Sequence, residues 1–179
     1  MQPDHRSKAN TLGYDSLDRA AIGENTQQFI TFTLGAEEYG IDIMVVREIK
    51  GWTATTMIPN APAHVRGVIN LRGKIIPVMD LRRRFEFAEA TDSGQTCIVV
   101  VQVTLADGKA TPMGLVVDGV EEVINLSAAD IEATPVFGGQ ICTDYILGMA
   151  KVKGAVKALL DIDRVVGADT LEKIRIPMA

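Results

Sequence analysis

Few residues of this sequence have the types and spacing that metal binding requires. The two histidines, His5 and His64, have no Cys, Asp or Glu at the spacing of metal ligands, and a closed zinc site needs about four ligands. The two cysteines, Cys97 and Cys142, stand alone without a C-x-x-C spacing. We therefore predict no metal site and two reduced thiols, as in a cytosolic protein.

Motifs of nucleophilic and phosphate chemistry are also absent from the sequence. It has no G-x-S-x-G elbow for a serine nucleophile and neither of the glycine-rich patterns that cradle phosphates. Most aspartates fall where turns and helix caps need them: Asp80, Asp107, Asp118, Asp130 and Asp161. The sequence therefore predicts a protein without catalytic residues or a cofactor.

Arg72 is a candidate for binding a partner through an ion pair. A hairpin turn at this point needs Gly73, because glycine tolerates positive φ, but turn geometry does not require an arginine before it. One interpretation is a solvated turn residue. The other is a guanidinium held on a rigid hairpin, ready to pair with a carboxylate or a carbonyl.

Glu48 raises a similar question. Strand alternation puts Val46 and Glu48 on one face and Val45 and Ile49 on the other. If Val45 and Ile49 point inward, Val46 becomes an exposed apolar residue beside a charge, which is typical of a partner site. The alternative is an ordinary strand exterior.

Two further features have open alternatives. Trp52 either anchors a partner or covers the end of a barrel. The Arg82-Arg83-Arg84 run is either an anion-binding patch or the solvated face of a helix, and the acidic composition of the chain favours the solvated face.

The elements that must position these residues come from a duplication. Gly67–Leu81 resembles Gly148–Ile162 in both glycines, the cation before the second glycine, the apolar run and the closing aspartate. Tyr39–Ile49 resembles Met113–Val123. Two similar units without a repeated catalytic group indicate a binding module.

The local patterns within these units are those of short strands. Alternation predicts a hairpin from Phe29–Leu34 and Tyr39–Ile43, and a second hairpin over Val68–Met79. Ile98–Leu105 is apolar on both faces, which predicts a strand in the middle of the core. We therefore predict an all-β fold of two packed five-stranded β-barrels.

A few short helical turns are predicted beside the strands. Pro62–Gly67 looks like one helical turn, with Gly67 as its stop. Asp80 is expected to cap a short helix over Leu81–Phe85, and Asp161 to start a C-terminal helix.

Bulk properties set the remaining expectations. The 179 residues are 47% hydrophobic, with a net charge of -5, which argues against nucleic acid as a partner. No apolar run approaches the roughly 20 residues that span a bilayer, so no direct membrane insertion is expected. We predict a flexible N-terminal tail (1–26), a polar linker (88–95) and a C-terminal tail (168–179) that can be helical.

The chain resembles the CheW chemotaxis coupling proteins. The resemblance rests on two signatures, Glu38–Ile43 (E-Y-G-I-D-I) and Asn70–Leu81 (N-L-R-G-x-x-x-P-x-x-D-L), and covers about residues 27–167. It implies two SH3-like barrels, the first at about 27–87 with a contribution from the C-terminal segment and the second at about 95–160.

The resemblance also implies a function and a site. Members of the family are non-enzymatic, cytoplasmic adaptors that link chemoreceptor cytoplasmic tips to the regulatory domain of the histidine kinase CheA, in rings within receptor arrays. The partner-binding positions carried over from the family and its Asn-Leu-Arg-Gly motif are Val46, Glu48, Gly67, Asn70, Leu71 and Arg72. The second copy has Lys153 in place of Arg72, so an arginine-specific role belongs to the first copy alone.

Two other classes of function remain as alternatives. A cleft between the barrels could bind a small ligand, although the sequence offers no convergent polar cluster to hold one. A regulatory enzyme is the third alternative.

Overall fold

The computed structural model of the protein describes residues 26–87, 92–134, 144–167 and 170. Its strands are β1 (Gln27–Leu34), β2 (Glu37–Asp42), β3 (Val46–Gly51), β4 (Val65–Leu71), β5 (Lys74–Asp80), β6 (Cys97–Thr104), β7 (Ala110–Val117), β8 (Gly119–Leu126), β9 (Ile131–Glu132), β10 (Ile146–Val152) and β11 (Ala155–Leu160). The described helices are α1 (Leu81–Arg84), α2 (Ile162–Val166) and 3₁₀ turns at Ile43–Val45 and Ala128–Asp130. Apart from Thr26 and Thr170, the two predicted tails lie outside the described residues, as do His5 and Cys142.

The strands form two sheets, and their orders reflect the duplication. One sheet has six strands in the order β8-β1-β2-β11-β10-β9, and the other has five in the order β3-β6-β7-β5-β4. Exchanging each strand with its counterpart in the other repeat (β1 with β6, β2 with β7, β3 with β8, β4 with β10 and β5 with β11) converts one order into the other. The two-residue strand β9 is the additional sixth strand of the larger sheet and has no counterpart strand in the five-stranded sheet. The predicted all-β fold with two barrel-like halves is confirmed, and we call the halves the five-stranded and six-stranded barrels.

Each barrel contains strands of both repeats. The first repeat places β1 and β2 in the six-stranded barrel but β3, β4 and β5 in the five-stranded one, and the second repeat does the reverse. Two parallel pairings join the repeats: β2 with β11, where Ile41 lies opposite Leu160, and β5 with β7, where Met79 lies opposite Leu115.

This exchange differs from the predicted division into a first barrel at about 27–87, with a contribution from the C-terminal segment, and a second barrel at about 95–160. That division joins strands that are neighbours along the chain. The chain instead crosses between the sheets after β2, through the Ile43–Val45 turn, and after β7, at Asp118. Hydrophobic alternation shows which face of a strand is buried but not which sheet the strand joins.

Buried side chains form one shared core and one smaller cluster in each barrel. The shared core contains residues of both sheets, among them Phe32, Ile41, Val99 and Leu115. Strand β6 contributes Val99 and Val101 to this core and Ile98 and Val100 to the cluster of the five-stranded barrel: Ile69, Ile76, Val78, Ile98, Val100 and Val116. The prediction that this strand is buried on both faces is therefore confirmed.

The repeated hairpins end in the same way. Asp80 accepts a hydrogen bond from the N–H of Arg82 at the start of α1, and Asp161 accepts from Asp163 and Arg164 at the start of α2. Both aspartates are N-caps, as predicted. The predicted helical turn over Pro62–Gly67 is shorter than expected. The N–H of Val65 donates to the carbonyl of Pro62 at 2.9 Å, but strand β4 begins at Val65, so Gly67 lies inside the strand and does not stop a helix.

Candidate protein-interaction site

The β4–β5 hairpin presents Arg72 at a tight two-residue turn. Leu71 pairs with Lys74, and φ is 54° at Arg72 and 86° at Gly73, the positive values of a type I′ turn. The side-chain oxygen of Asn70 accepts a hydrogen bond of 2.8 Å from the Gly73 N–H. The turn is therefore closed locally, and Asn70 acts by shaping it.

Arg72 and Glu48, both singled out from the sequence, form an ion pair. The Nη2 of Arg72 lies 2.7 Å from Oε2 of Glu48, and 79% of the arginine side chain is exposed against 23% of the glutamate. The pair joins edge strand β3 to the hairpin tip. It fixes the direction of a guanidinium that is still largely open to solvent, where its other N–H donors can bind a partner.

The apolar candidates Val46 and Leu71 are partly buried against the two cores. Val46 is half-buried against the shared core, and Leu71 packs with Trp52 against the cluster of the five-stranded barrel. The sequence predicts an exposed Val46 if Val45 and Ile49 point inward, but Ile49 is 47% exposed, so this condition is not met. A bulge between Val46 and Glu48 shifts the register of β3 against β6.

Gly67 is buried and is not accessible to a partner. Its φ is +129°, and a Cβ on it would lie 2.7 Å from the carbonyl carbon of Thr56 and still closer to its oxygen. Thr56 and Val68 exchange backbone hydrogen bonds of 2.9 and 2.8 Å at this point. Gly67 thus permits a close backbone approach behind the hairpin.

Trp52 covers one side of the five-stranded barrel. Its ring is half-buried, and the guanidinium of Arg66 lies 4.5 Å from the ring centroid, a distance suited to a cation–π contact. Its backbone N–H donates to Thr96. Of the two interpretations of Trp52, these contacts favour the barrel cover.

Sequence reasoning missed a buried ionic cluster behind the site. Arg82 is 1% exposed and binds Asp80 at 2.8 Å, Asp92 at 2.7 Å and Asp118 at 3.0 Å. Arg66 adds contacts to Asp80 and Asp92. Neither interpretation of the Arg82–Arg84 run therefore holds for Arg82, and the signal that could have found the cluster is the Asp80-x-Arg82 spacing.

The cluster changes the acidity of its members. Burial alone would raise the pKa of the Asp80 carboxyl, but hydrogen bonds and charge from Arg82, together with a hydrogen bond from Arg66, hold that pKa below its usual value. The same two arginines lower the pKa of Asp92 against the effect of burial. Hydrogen bonding to Asp80 raises the pKa of Arg82. The folded state therefore favours the charged forms of Asp80, Asp92 and Arg82.

The second repeat carries an equivalent ion pair that was also missed. Glu122 corresponds to Glu48 and Lys153 to Arg72, and the Lys153 ammonium lies 3.2 Å from Glu122. Lys153 has a φ of 51°, again at the first position of a two-residue turn. Glu122 also binds Lys157, which is buried at the position of Ile76. Hydrogen bonds from Lys153 and Lys157 lower the pKa of Glu122.

Other kinds of site find little support among the described residues. A cavity of about 190 Å³ lies beside α2, lined by Asp42, Val45, Leu147, Leu160, Asp161, Ile162 and Asp163. Its volume is below the roughly 300 Å³ at which small-ligand pockets begin, and Asp42 and Asp161 already cap backbone N–H groups. In the described ranges, no group of three or more His, Cys, Asp or Glu could hold a metal. No described helix is long and apolar enough to cross a membrane.

The sequence is similar to a known protein family over most of its length. The family model of the CheW-like domain matches residues 28–169. The chemotaxis protein CheW of Klebsiella aerogenes is 37% identical over 145 residues, which cover 81% of this chain and 84% of that protein. The chemotaxis protein CheW of Rhizobium meliloti is 35% identical over 146 residues, covering 82% and 91%.

A solved structure agrees with these sequence matches. The scaffolding protein TtCheW from Thermoanaerobacter tengcongensis superposes with a TM-score of 0.70 at 33% identity, over 80% of this chain and 90% of that one.

Proposed function

This chain belongs to the CheW family of chemotaxis scaffolding proteins, and on that premise we propose that it couples chemoreceptor cytoplasmic tips to the regulatory domain of the histidine kinase CheA. It acts as an adaptor without catalytic activity. It works in the cytoplasm and is recruited to membrane-associated receptor arrays. The observation that carries the proposal is the exposed ion pair of Arg72 and Glu48.

The ion pair is suited to recognition more than to stability. Exposed ion pairs typically contribute less than about 1 kcal/mol to folding, and Arg72 is 79% exposed. Arginine is enriched among the residues that dominate interface energies. A rigid hairpin that presents an oriented guanidinium therefore has more to contribute to a complex than to the isolated chain.

The two-barrel architecture supports contacts with more than one partner. The pairs Glu48–Arg72 and Glu122–Lys153 occupy corresponding places on opposite repeats. The chain can thus offer one surface from each barrel, and alternation of adaptor and kinase domains through both surfaces would generate a ring. The arginine is confined to the five-stranded barrel, so the two surfaces differ in chemistry.

A binding titration tests the role of the pair. The protein, Arg72→Ala and Glu48→Ala are titrated separately against an isolated kinase regulatory domain and a receptor-tip fragment. We expect Arg72→Ala to weaken binding to at least one partner by about 2 kcal/mol, a factor of about 30 in Kd. The partner whose binding is weakened is the one that contacts the Arg72–Glu48 pair.

Lys153→Ala is the matched control, because it removes a cation from the same turn position of the other barrel. It should leave binding through the five-stranded barrel unchanged. If Arg72→Ala keeps its fold by circular dichroism and its affinity for both partners, Arg72 does not belong to the site. If the unaltered protein binds neither partner, the coupling role itself is wrong.

A further inference from the structure

Strands β3 and β4 are the two edges of the five-stranded sheet. The ladders that connect them run through β6, β7 and β5, and the described backbone pairings include none between β3 and β4 themselves. Side chains cross this gap, which we call the β3–β4 seam, at two places. At the first, Arg72 of the hairpin tip lies 2.7 Å from Glu48 of β3. The candidate ion pair is therefore part of the closure of the barrel.

The second contact across the seam is the stack of Arg66 on Trp52. Trp52 directly follows β3, Arg66 is the second residue of β4, and the guanidinium carbon lies 4.5 Å from the ring centroid. A cation at this distance is attracted to the face of an indole. Glu48 and Trp52 are four residues apart, which is about 13 Å in an extended strand. The two contacts together thus fix both the spacing and the direction of β3 relative to the hairpin.

Arg66 is itself held in place by the buried ionic cluster. Its Nη1 lies 2.9 Å from Asp80 and its Nη2 3.1 Å from Asp92, and its side chain is 16% exposed. Its backbone carbonyl accepts a hydrogen bond of 2.9 Å from the hydroxyl of Thr55. Because two carboxylates restrain the guanidinium, the Trp52 ring packs on a cation whose position is fixed by the core.

Trp52 also shares its apolar support with the binding hairpin. Trp52 and Leu71 both pack against the buried cluster of the five-stranded barrel, and Leu71 directly precedes Arg72. The backbone N–H of Trp52 donates to the carbonyl of Thr96 at 3.3 Å. The ring therefore rests on the same apolar layer from which the hairpin tip projects.

The second repeat does not have this cation and ring. Leu147 stands where the first repeat has Arg66, and Leu126 stands where it has Trp52. Leu126 is 5% exposed and Leu147 55%. The cation–π contact therefore occurs in the same barrel as Arg72, which favours a role that the contact and the arginine share.

We propose that Trp52 and Arg66 are positioning residues of the candidate protein-interaction site, whose contact closes the β3–β4 seam and keeps Glu48 within reach of Arg72. Neither residue needs to touch the partner, because each acts through the ion pair. The assignment deepens the proposed adaptor role, and only the binding measurement below rests on that role.

Tryptophan fluorescence tests the seam in the protein alone, because Trp52 is the single tryptophan of the chain. Acrylamide quenching is compared among the unaltered protein, Arg72→Ala and Glu48→Gln, each checked for folding by circular dichroism. Coupling between two contacts acts in both directions, so loss of the ion pair should raise the quenching of Trp52 about twofold. Lys153→Ala is the matched control, because it breaks the counterpart ion pair of the other barrel and should leave the quenching unchanged. Equal quenching in all four proteins would overturn the proposal.

A binding titration then tests the effect on the site, using the partner whose binding Arg72→Ala weakens. Trp52→Leu should weaken that binding about tenfold, and Trp52→Phe should retain most of it, because phenylalanine keeps an aromatic face for Arg66. Adding Trp52→Leu to Arg72→Ala should cause no further loss, since the ion pair through which Trp52 acts is already absent.

Two results of the titration contradict the positioning role. Full affinity of a folded Trp52→Leu would remove Trp52 from the site. A further tenfold loss when Trp52→Leu is added to Arg72→Ala would make Trp52 a direct anchor of the partner. If the unaltered chain binds neither partner, the adaptor role is wrong, and the quenching comparison still decides whether Trp52 and the ion pair are coupled.

Discussion

Any side chain at position 67 would collide with the backbone of Thr56, since a Cβ there lies 2.7 Å from its carbonyl carbon. Gly67 stands among the positions that the family resemblance assigns to partner binding, yet it is buried. Its contribution to the site is therefore indirect, because it allows the Thr56–Val68 bridge that supports the hairpin carrying Arg72.

Gly67→Ala should destabilise the fold by about 3 kcal/mol or more, because both the positive φ and the backbone collision oppose a side chain. Gly73→Ala is the matched control. Gly73 also has positive φ, but nothing lies within 4 Å of an added Cβ, so it should cost only about 1 kcal/mol. Urea unfolding measures the free energy of unfolding of both variants. Equal losses in Gly67→Ala and Gly73→Ala would show that a backbone shift relieves the collision at position 67.

Sequence reasoning could nominate Arg72 and Glu48 separately but could not pair them. The turn at Arg72-Gly73 follows from local chemistry, because glycine at the second position favours a type I′ turn. The contact to Glu48 depends on how edge strand β3 meets the hairpin tip, which is set by packing between elements. The burial of Arg82 was hidden for the same reason, since two of its three carboxylates, Asp92 and Asp118, come from distant segments.

At the scale of elements, the duplicated hairpin and cap have acquired different energetic roles. Asp80 and Asp161 cap equivalent helices. Asp80 is fully buried and binds two arginines, whereas the ion-pair partner of Asp161 among the described residues is the exposed Arg164. The same capping aspartate thus belongs to a buried ionic cluster in the first repeat and acts as an ordinary helix cap in the second.

Asp80→Asn should therefore cost about 3 kcal/mol, because it leaves the Arg82 charge buried with one partner fewer. Asp161→Asn should be nearly neutral, since asparagine caps helices about as well as aspartate. Chemical denaturation of both variants at pH 7 measures the difference. Similar losses at the two positions would contradict the structural role assigned to the buried cluster.

The same cluster predicts how stability depends on pH. The pKa of Asp80 is lower in the folded chain than its unfolded value near 3.8, so between these two values the unfolded chain binds more protons. The stabilisation is complete above about pH 5 and is lost as the pH falls through the folded pKa. Asp80→Asn should show a shallower decline of unfolding free energy below about pH 4, and an unchanged slope would exclude Asp80 as a source of acid sensitivity.

For the whole molecule, the two repeats form one folding unit. Each barrel needs strands from both repeats, and the shared core joins both sheets. Sequence patterns identified the hairpins because their turns and alternation are local. They could not assign hairpins to barrels, because the parallel pairings β2–β11 and β5–β7 connect distant segments whose alternation is satisfied in either arrangement.

Separated repeats should therefore fail to fold alone. Cut between Phe87 and Asp92, the first fragment keeps the β1–β2 hairpin but loses β8 and β11 on either side of it, and an isolated hairpin is marginally stable. We expect little strand signal by circular dichroism from either fragment and recovery of that signal on mixing. A fragment that folds cooperatively on its own would contradict the exchange as a requirement for stability.

The pairing of β2 with β11 also constrains how a newly made chain reaches its native state. Strand β2 leaves the ribosome well before its neighbour β11, which ends at Leu160. Until then one side of β2 is an unpaired strand edge of the kind that promotes aggregation. Contacts so distant in sequence also slow folding, so the six-stranded barrel is expected to be completed only after β11 has been synthesised.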